Sequence, residues 1–102
     1  MSKSRDFREL RKAASSASAL MKTLGHEDRL MVLCHLAEGE QSVGELAEQL
    51  DISQSSLSQH LARMRAEQLV EARRESQNVY YSIKGKQLQK IIACLHTIYC
   101  GR

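Results

Sequence analysis

Three cysteines, Cys34, Cys94 and Cys100, are the residues of this 102-residue chain best suited to covalent chemistry. So odd and sparse a set does not make a secreted disulfide framework. In a reducing compartment such thiols serve as small buried apolar residues, as reactive nucleophiles or as soft metal ligands. Cys34 lies in the apolar run "VLCHL", where burial is the ordinary role of a free cysteine. Cys100 is followed only by Gly101 and Arg102 and stands off the apolar stripe Leu88, Ile92 and Leu95, so core packing does not ask for it. Cys94 falls on a different side of the same segment and reads as a packing or interface residue. The four histidines, His26, His35, His60 and His96, are scattered over separate segments. With no glycine-rich phosphate loop, ordered nucleophile–base set or metal-ligand repeat, the residues suggest neither an enzyme nor a resident cofactor or metal.

A second kind of chemistry, hydrogen bonding to a polar partner, is concentrated in "DISQSSLSQHLARMRAEQLV", residues 51–70. On a helix, Leu57, Leu61 and Met64 share one side. Ser55, Gln59 and Ala62 fall opposite, with Ser56, Ser58 and Arg63 on the flanks. Short hydroxyls and amides suit a helix that enters the major groove, because they bond base edges or phosphates and allow close approach. Arg63 suits a phosphate or a guanine, and Gln54 and His60 suit the backbone. Any solvated helix also has a polar face, so the neighbouring elements decide between the two readings.

Before it, Ser42 and Glu45 form the capping box of a helix with Val43, Leu46, Ala47 and Leu50 on its inner face. "DIS" then makes a tight turn with Ser53 as cap, and the polar helix runs over about 54–68. Two short helices so joined match a helix-turn-helix over about 42–68. "LVEARRESQNVYYSI" follows as a two-stranded hairpin, Val70 to Arg74 and Val79 to Ile83, around a polar centre. The hairpin makes a wing over about 70–83 whose Arg73, Arg74, Gln77 and Asn78 face DNA.

Upstream, Phe7, Leu10, Ala14, Ala17, Met21 and Leu24 recur at helical spacing over about 6–24. After a break at Gly25, Leu30, Leu33, Cys34 and Ala37 mark a second helix that stops near Gly39. The last helix, about 85–100, carries Leu88, Ile91, Ile92, Leu95, Ile98 and Tyr99. The expected fold is mainly α with a small β-hairpin: one winged helix-turn-helix domain spanning 1–102. Its terminal helices carry more apolar positions than a small core consumes. They therefore predict a homodimer, presenting two reading helices to an inverted-repeat DNA operator.

The bulk numbers agree without deciding. Charged residues at 26% and hydrophobic ones at 42% are an ordinary globular balance rather than a disordered one. The net charge of +3 and pI near 8.9 are compatible with nucleic acid but do not require it. No apolar run is long enough for a membrane span and the N-terminus lacks a signal-peptide core, so a cytoplasmic location is expected.

"HEDRLMVLCHL", "SVGELAEQLDISQSSLSQHLARMRAEQLV" and "RRESQNVYYSI" together resemble the ArsR family of bacterial dimeric winged-helix repressors, from about Ala14 to Cys100. "VLCHL" with the terminal "LHTIYC" is similar to the sulfide- and redox-responsive branch that includes BigR, SqrR and HlyU. That resemblance implies that Cys34 and Cys100 are a sensing pair, linked after reaction with reactive sulfur species so that operator affinity falls. A reactive thiol needs a lowered pKa, for which His35, Arg29 and His96 are the nearby candidates. HlyU-like members imply another role, relief of virulence-gene silencing. Metal-sensing relatives imply a third. The Cys-Val-Cys-like pair of arsenic sensors is absent at Ser42–Glu45, and the last helix has only His96 beside Cys94, but Cys34, Cys100 and His35 could offer soft ligands to Zn²⁺ or Cu⁺.

Overall fold

The structure, a computed structural model, describes residues 6–101; residues 1–5 and 102 of the expected domain lie outside the described residues. In chain order the elements are α1 (Asp6–Leu24), α2 (Glu27–Leu36), β1 (Gln41–Ser42), α3 (Val43–Leu50), α4 (Gln54–Ala66), β2 (Val70–Glu75), β3 (Asn78–Ile83) and α5 (Lys86–Cys100). No helix among the described residues is long and apolar enough to cross a membrane.

Local chemistry sets the boundaries of the central helices. Ser42 accepts from the Glu45 backbone N–H while the Glu45 carboxylate accepts from the Ser42 N–H, completing the expected capping box of α3. α3 ends on Asp51 at φ 57°, a left-handed position that aspartate tolerates better than most residues. Two residues later Ser53 caps α4 by accepting from the Ser56 N–H at 3.1 Å. α4 stops at Ala66, two residues short of the expected end, because the chain turns left-handed at Gln68.

The core gathers Val32, Leu33 and Leu36 of α2, Leu46 of α3, and Leu57, Leu61 and Met64 of α4. Val70, Ile83, Leu88 and Ile92 of the hairpin and α5 complete it. α2 is turned relative to the expected stripe: Val32 and Leu36 are fully enclosed, whereas Leu30, Cys34 and Ala37 are only partly covered. Arg29 explains part of this turn. Its guanidinium is buried and its Nε donates to the Thr23 carbonyl at 2.9 Å, capping the C-terminal end of α1, where a cation is favoured.

The sheet has three antiparallel strands in the order β1-β3-β2; the two-residue β1 was not expected and pairs Gln41 with Tyr81 and Ser42 with Tyr80. β2 and β3 each reach one residue further than expected, leaving a two-residue turn at Ser76 and Gln77. Helix-turn-helix and hairpin together make a winged helix-turn-helix.

α1 departs from this packing. It is roughly 28 Å long, yet among residues 7–24 only Thr23 is fully buried. Phe7, Leu10 and Met21 stand 74%, 67% and 67% exposed. α5 repeats the pattern on one side, with Ile98 and Tyr99 exposed. The radius of gyration, 15.5 Å, exceeds the roughly 13 Å of a compact domain of this length, as a projecting helix requires.

Candidate nucleic-acid interface and thiol pair

α4 sorts its residues as the helical period demands. Leu57, Leu61 and Met64 are buried, while Gln54, Ser55, Ser56, Ser58, Gln59, Ala62 and Arg63 are exposed. No carboxylate interrupts this helix, and its first turn lacks the acidic residues found in the first turns of α2 and α3. The positive end of its dipole, and the first-turn N–H groups that the Ser53 cap does not take, are therefore open to an anion. The wing tip lies beside it. Gln54, Gln77 and Asn78 line one shallow cleft of about 310 Å³ with the start of α3. Arg74 is exposed on the neighbouring strand.

Three expected contacts are placed differently. Arg73 donates to both Glu40 oxygens, at 3.0 and 2.8 Å, and to Glu75 at 2.9 Å, with its guanidinium 4.9 Å from the Tyr80 ring centre. Hydrogen bonds from Arg73 hold the Glu40 carboxyl below its usual range, and those carboxylates hold the Arg73 proton more tightly still. Arg73 therefore braces the wing against the loop before β1 instead of standing free for phosphate. Arg63 donates to Glu67 at 3.1 Å in an exposed i,i+4 pair, weak enough for a phosphate to replace. His60 is half-buried and faces α2, not solvent. Its ring centre lies 4.7 Å from that of His26, and its Nε2 is 4.0 Å from an Asp28 oxygen. Burial, with the nearby His26 and Arg29, keeps this imidazole below its ordinary pKa. Two of the histidines that look scattered in sequence are thus neighbours in space.

The thiols lie on α2 and α5. Cys34 is half-buried, and Cys94 and Cys100 are exposed. Cys34 opens into a groove of about 270 Å³ between α2 and α5, lined also by Glu38, Ile92, His96 and Thr97. His96 precedes Cys100 by one helical turn. The Cys34 thiol is pushed up from its ordinary pKa, first by burial and then by the proximity of Cys100 and Glu38. Of the basic residues considered as able to lower a thiol pKa, Arg29 is committed to the Thr23 carbonyl. Cys94 is no packing residue within the chain; it sits at helical spacing between exposed Ile91 and Ile98. Among the described residues Cys34, Cys100 and His35 do not converge as a ligand set, whereas His26, Asp28 and His60 do.

Comparison with known proteins agrees with this geometry. The family model described as bacterial regulatory protein, arsR family, matches residues 26–72. Over 95 residues, 93% of this chain and 88% of the relative, the sequence is 42% identical to the transcriptional activator HlyU of Vibrio cholerae serotype O1. The solved structure of reduced HlyU from Vibrio cholerae superposes with a TM-score of 0.88 at 43% identity, covering 91% of this chain and 98% of that one. The transcriptional repressor BigR from Xylella fastidiosa matches at 39% identity and TM-score 0.82, over 92% and 93% of the two chains. A homodimeric winged helix-turn-helix DNA-binding domain, Mb0332 of Mycobacterium bovis, matches at 28% identity and TM-score 0.78, over 95% and 87%.

Proposed function

As a member of the bacterial ArsR family, in its HlyU and BigR branch, this chain is a DNA-binding transcriptional regulator, and we propose that it reads its operator as a homodimer. The carboxylate-free outer face of α4, set beside the wing tip, carries this reading. Ser55, Ser56, Ser58, Gln59 and Arg63 contact the major groove, Gln54 the backbone, and Arg74, Gln77 and Asn78 serve the wing. The exposed apolar residues of α1 and α5 supply the two-fold interface, which sets two α4 helices on an inverted repeat. The homodimeric state of the Mycobacterium bovis relative supports the same assembly. Relatives named as an activator and as a repressor match comparably well. Where an operator lies relative to a promoter, rather than the DNA-binding unit itself, sets the sign of regulation.

The regulated event is oxidative linkage of Cys34 to Cys100. The more exposed Cys100 attacks the outer sulfur of a small persulfide, RSSH, forming Cys100–SSH and releasing RSH. Cys34 then attacks the inner sulfur of Cys100–SSH, making a disulfide and releasing H₂S. If Cys34 has itself become a persulfide, the same condensation leaves a trisulfide and releases H₂S. Cys34 opens into the groove against α5, and Cys100 contributes to the upward shift of its thiol, which supports this pairing. A link there pins the end of α5 to α2. Because α5 belongs to the dimer face, the link alters the relative setting of the two reading heads without touching a DNA contact.

The test combines operator binding by fluorescence anisotropy with peptide mass spectrometry after anaerobic treatment with glutathione persulfide. The reduced protein binds; the treated protein shows a Cys34–Cys100 crosslink and an affinity lower by about tenfold or more. Cys34→Ser and Cys100→Ser each keep DNA binding and lose the response. An unaltered response in both variants would refute the thiol pair. A plain disulfide formed equally well with peroxide would make the protein a general oxidant sensor.

A further inference from the structure

We propose that His26, Asp28 and His60 form a site for a transition-metal ion of the Zn²⁺ class, which staples the reading helix α4 to the start of α2. One ligand atom from each of the three residues lies within 4.8 Å of the others. Around a tetrahedral ion with bonds of about 2.0–2.1 Å, ligand atoms stand roughly 3.3 Å apart. Side-chain rotation of exposed His26 and half-buried Asp28 is what the ion asks for to bring the ligand atoms to that spacing.

The donor set fits the ion class. Two imidazole nitrogens and one carboxylate suit Zn²⁺, Co²⁺ or Ni²⁺, whereas Mg²⁺ and Ca²⁺ call for oxygen donors throughout. Three protein ligands leave the fourth position to water. His26 caps α2 by accepting from the Asp28 N–H through Nδ1 at 3.1 Å; ligation through Nε2 places the ring proton on Nδ1, so the ion takes His26 in exchange for this cap. The nearest fixed cation, Arg29, is turned toward the Thr23 carbonyl, and Glu27 and Asp28 offset the positive end of the α2 dipole.

Position gives the site its consequence. His60 is flanked on α4 by Gln59, a groove-facing residue, and Leu61, a core residue. An ion bound here joins the middle of α4 to the loop that follows α1, so it fixes the setting of α4 on the domain. This site uses none of the thiols.

The test uses the full-length, untagged chain carrying Cys34→Ser, Cys94→Ser and Cys100→Ser, stripped with a chelator and titrated with Co²⁺, then competed with Zn²⁺. The expected result is one Co²⁺ per chain, with visible absorption bands and no thiolate charge-transfer band. Zn²⁺ at a hundredfold excess over its Kd raises Tm by roughly 10 °C. Asp28→Asn and His60→Gln each weaken binding at least roughly tenfold, with helix content by circular dichroism unchanged in Asp28→Asn. His35→Gln and His96→Gln leave binding as it is. Absence of Co²⁺ and Zn²⁺ binding in the thiol-free chain would overturn the proposal. So would binding that survives both Asp28→Asn and His60→Gln.

Discussion

Helices α4 and α5 are of similar length, and each buries one apolar stripe, but their outer faces differ in kind. α4 exposes serines, glutamines and arginines. α5 exposes Ile91, Cys94, Ile98 and Tyr99. One face suits a hydrated, anionic partner whose hydrogen-bonding groups must be matched; the other suits an apolar surface that excludes water. On the proposed reading, partner recognition is divided between two helices of one small domain.

The largest effect expected comes from the face the two helices share, the core. Leu57→Ala removes a fully buried side chain and lowers unfolding stability by about 2–5 kcal/mol, read as a lower urea midpoint. It weakens both activities and so marks the limit of the division. The division itself is tested by a reciprocal pair. Ile98→Glu weakens self-association by roughly 2 kcal/mol, about thirtyfold in sedimentation analysis, and leaves the isolated fold intact. Gln59→Ala weakens operator binding by about 1–3 kcal/mol and leaves the dimer unchanged. Loss of the dimer in Gln59→Ala would mean that α4 and α5 have been assigned to the wrong partners.

Smaller changes sharpen the picture of the wing. Arg74→Ala lowers the salt dependence of DNA binding by about one phosphate contact, whereas Arg73→Ala, already paired with Glu40 and Glu75, leaves that slope unchanged. Equal loss from both would show that Arg73 leaves its carboxylates on the operator. Ser76→Gly relieves a left-handed turn residue and stabilises the fold by up to about 1 kcal/mol.

The thiol edge is read most finely by alkylation rates. Cys100 reacts before Cys34 at neutral pH, and the gap narrows as pH rises through the elevated pKa of Cys34. The sign follows from linkage. A thiol whose pKa is raised by folding favours the native state while it stays protonated, and that contribution is lost as pH climbs through the folded value. Faster labelling of Cys34 at pH 7 would reverse the proposed order of attack.

Much of α4 was legible in sequence because its signals are local. The capping serines act over three residues, and Leu57, Leu61 and Met64 repeat at the helical period. The α2 stripe was read one step off because Arg29, a charged residue at a buried position, is accommodated by a carbonyl six residues earlier in the chain. β1 escaped notice because two residues carry no pattern; only β3 makes them a strand.

The sequence by itself determined the order of helices and hairpin, the two-sided character of α4 and the apolar surplus of α1 and α5. Side-chain period and capping are properties of neighbouring residues. Tertiary structure alone decided which distant groups meet: Arg73 with Glu40, and His60 against His26 and Asp28. Those meetings depend on how elements far apart in the chain pack across a common core, and no local rule of spacing encodes the angle at which they do so.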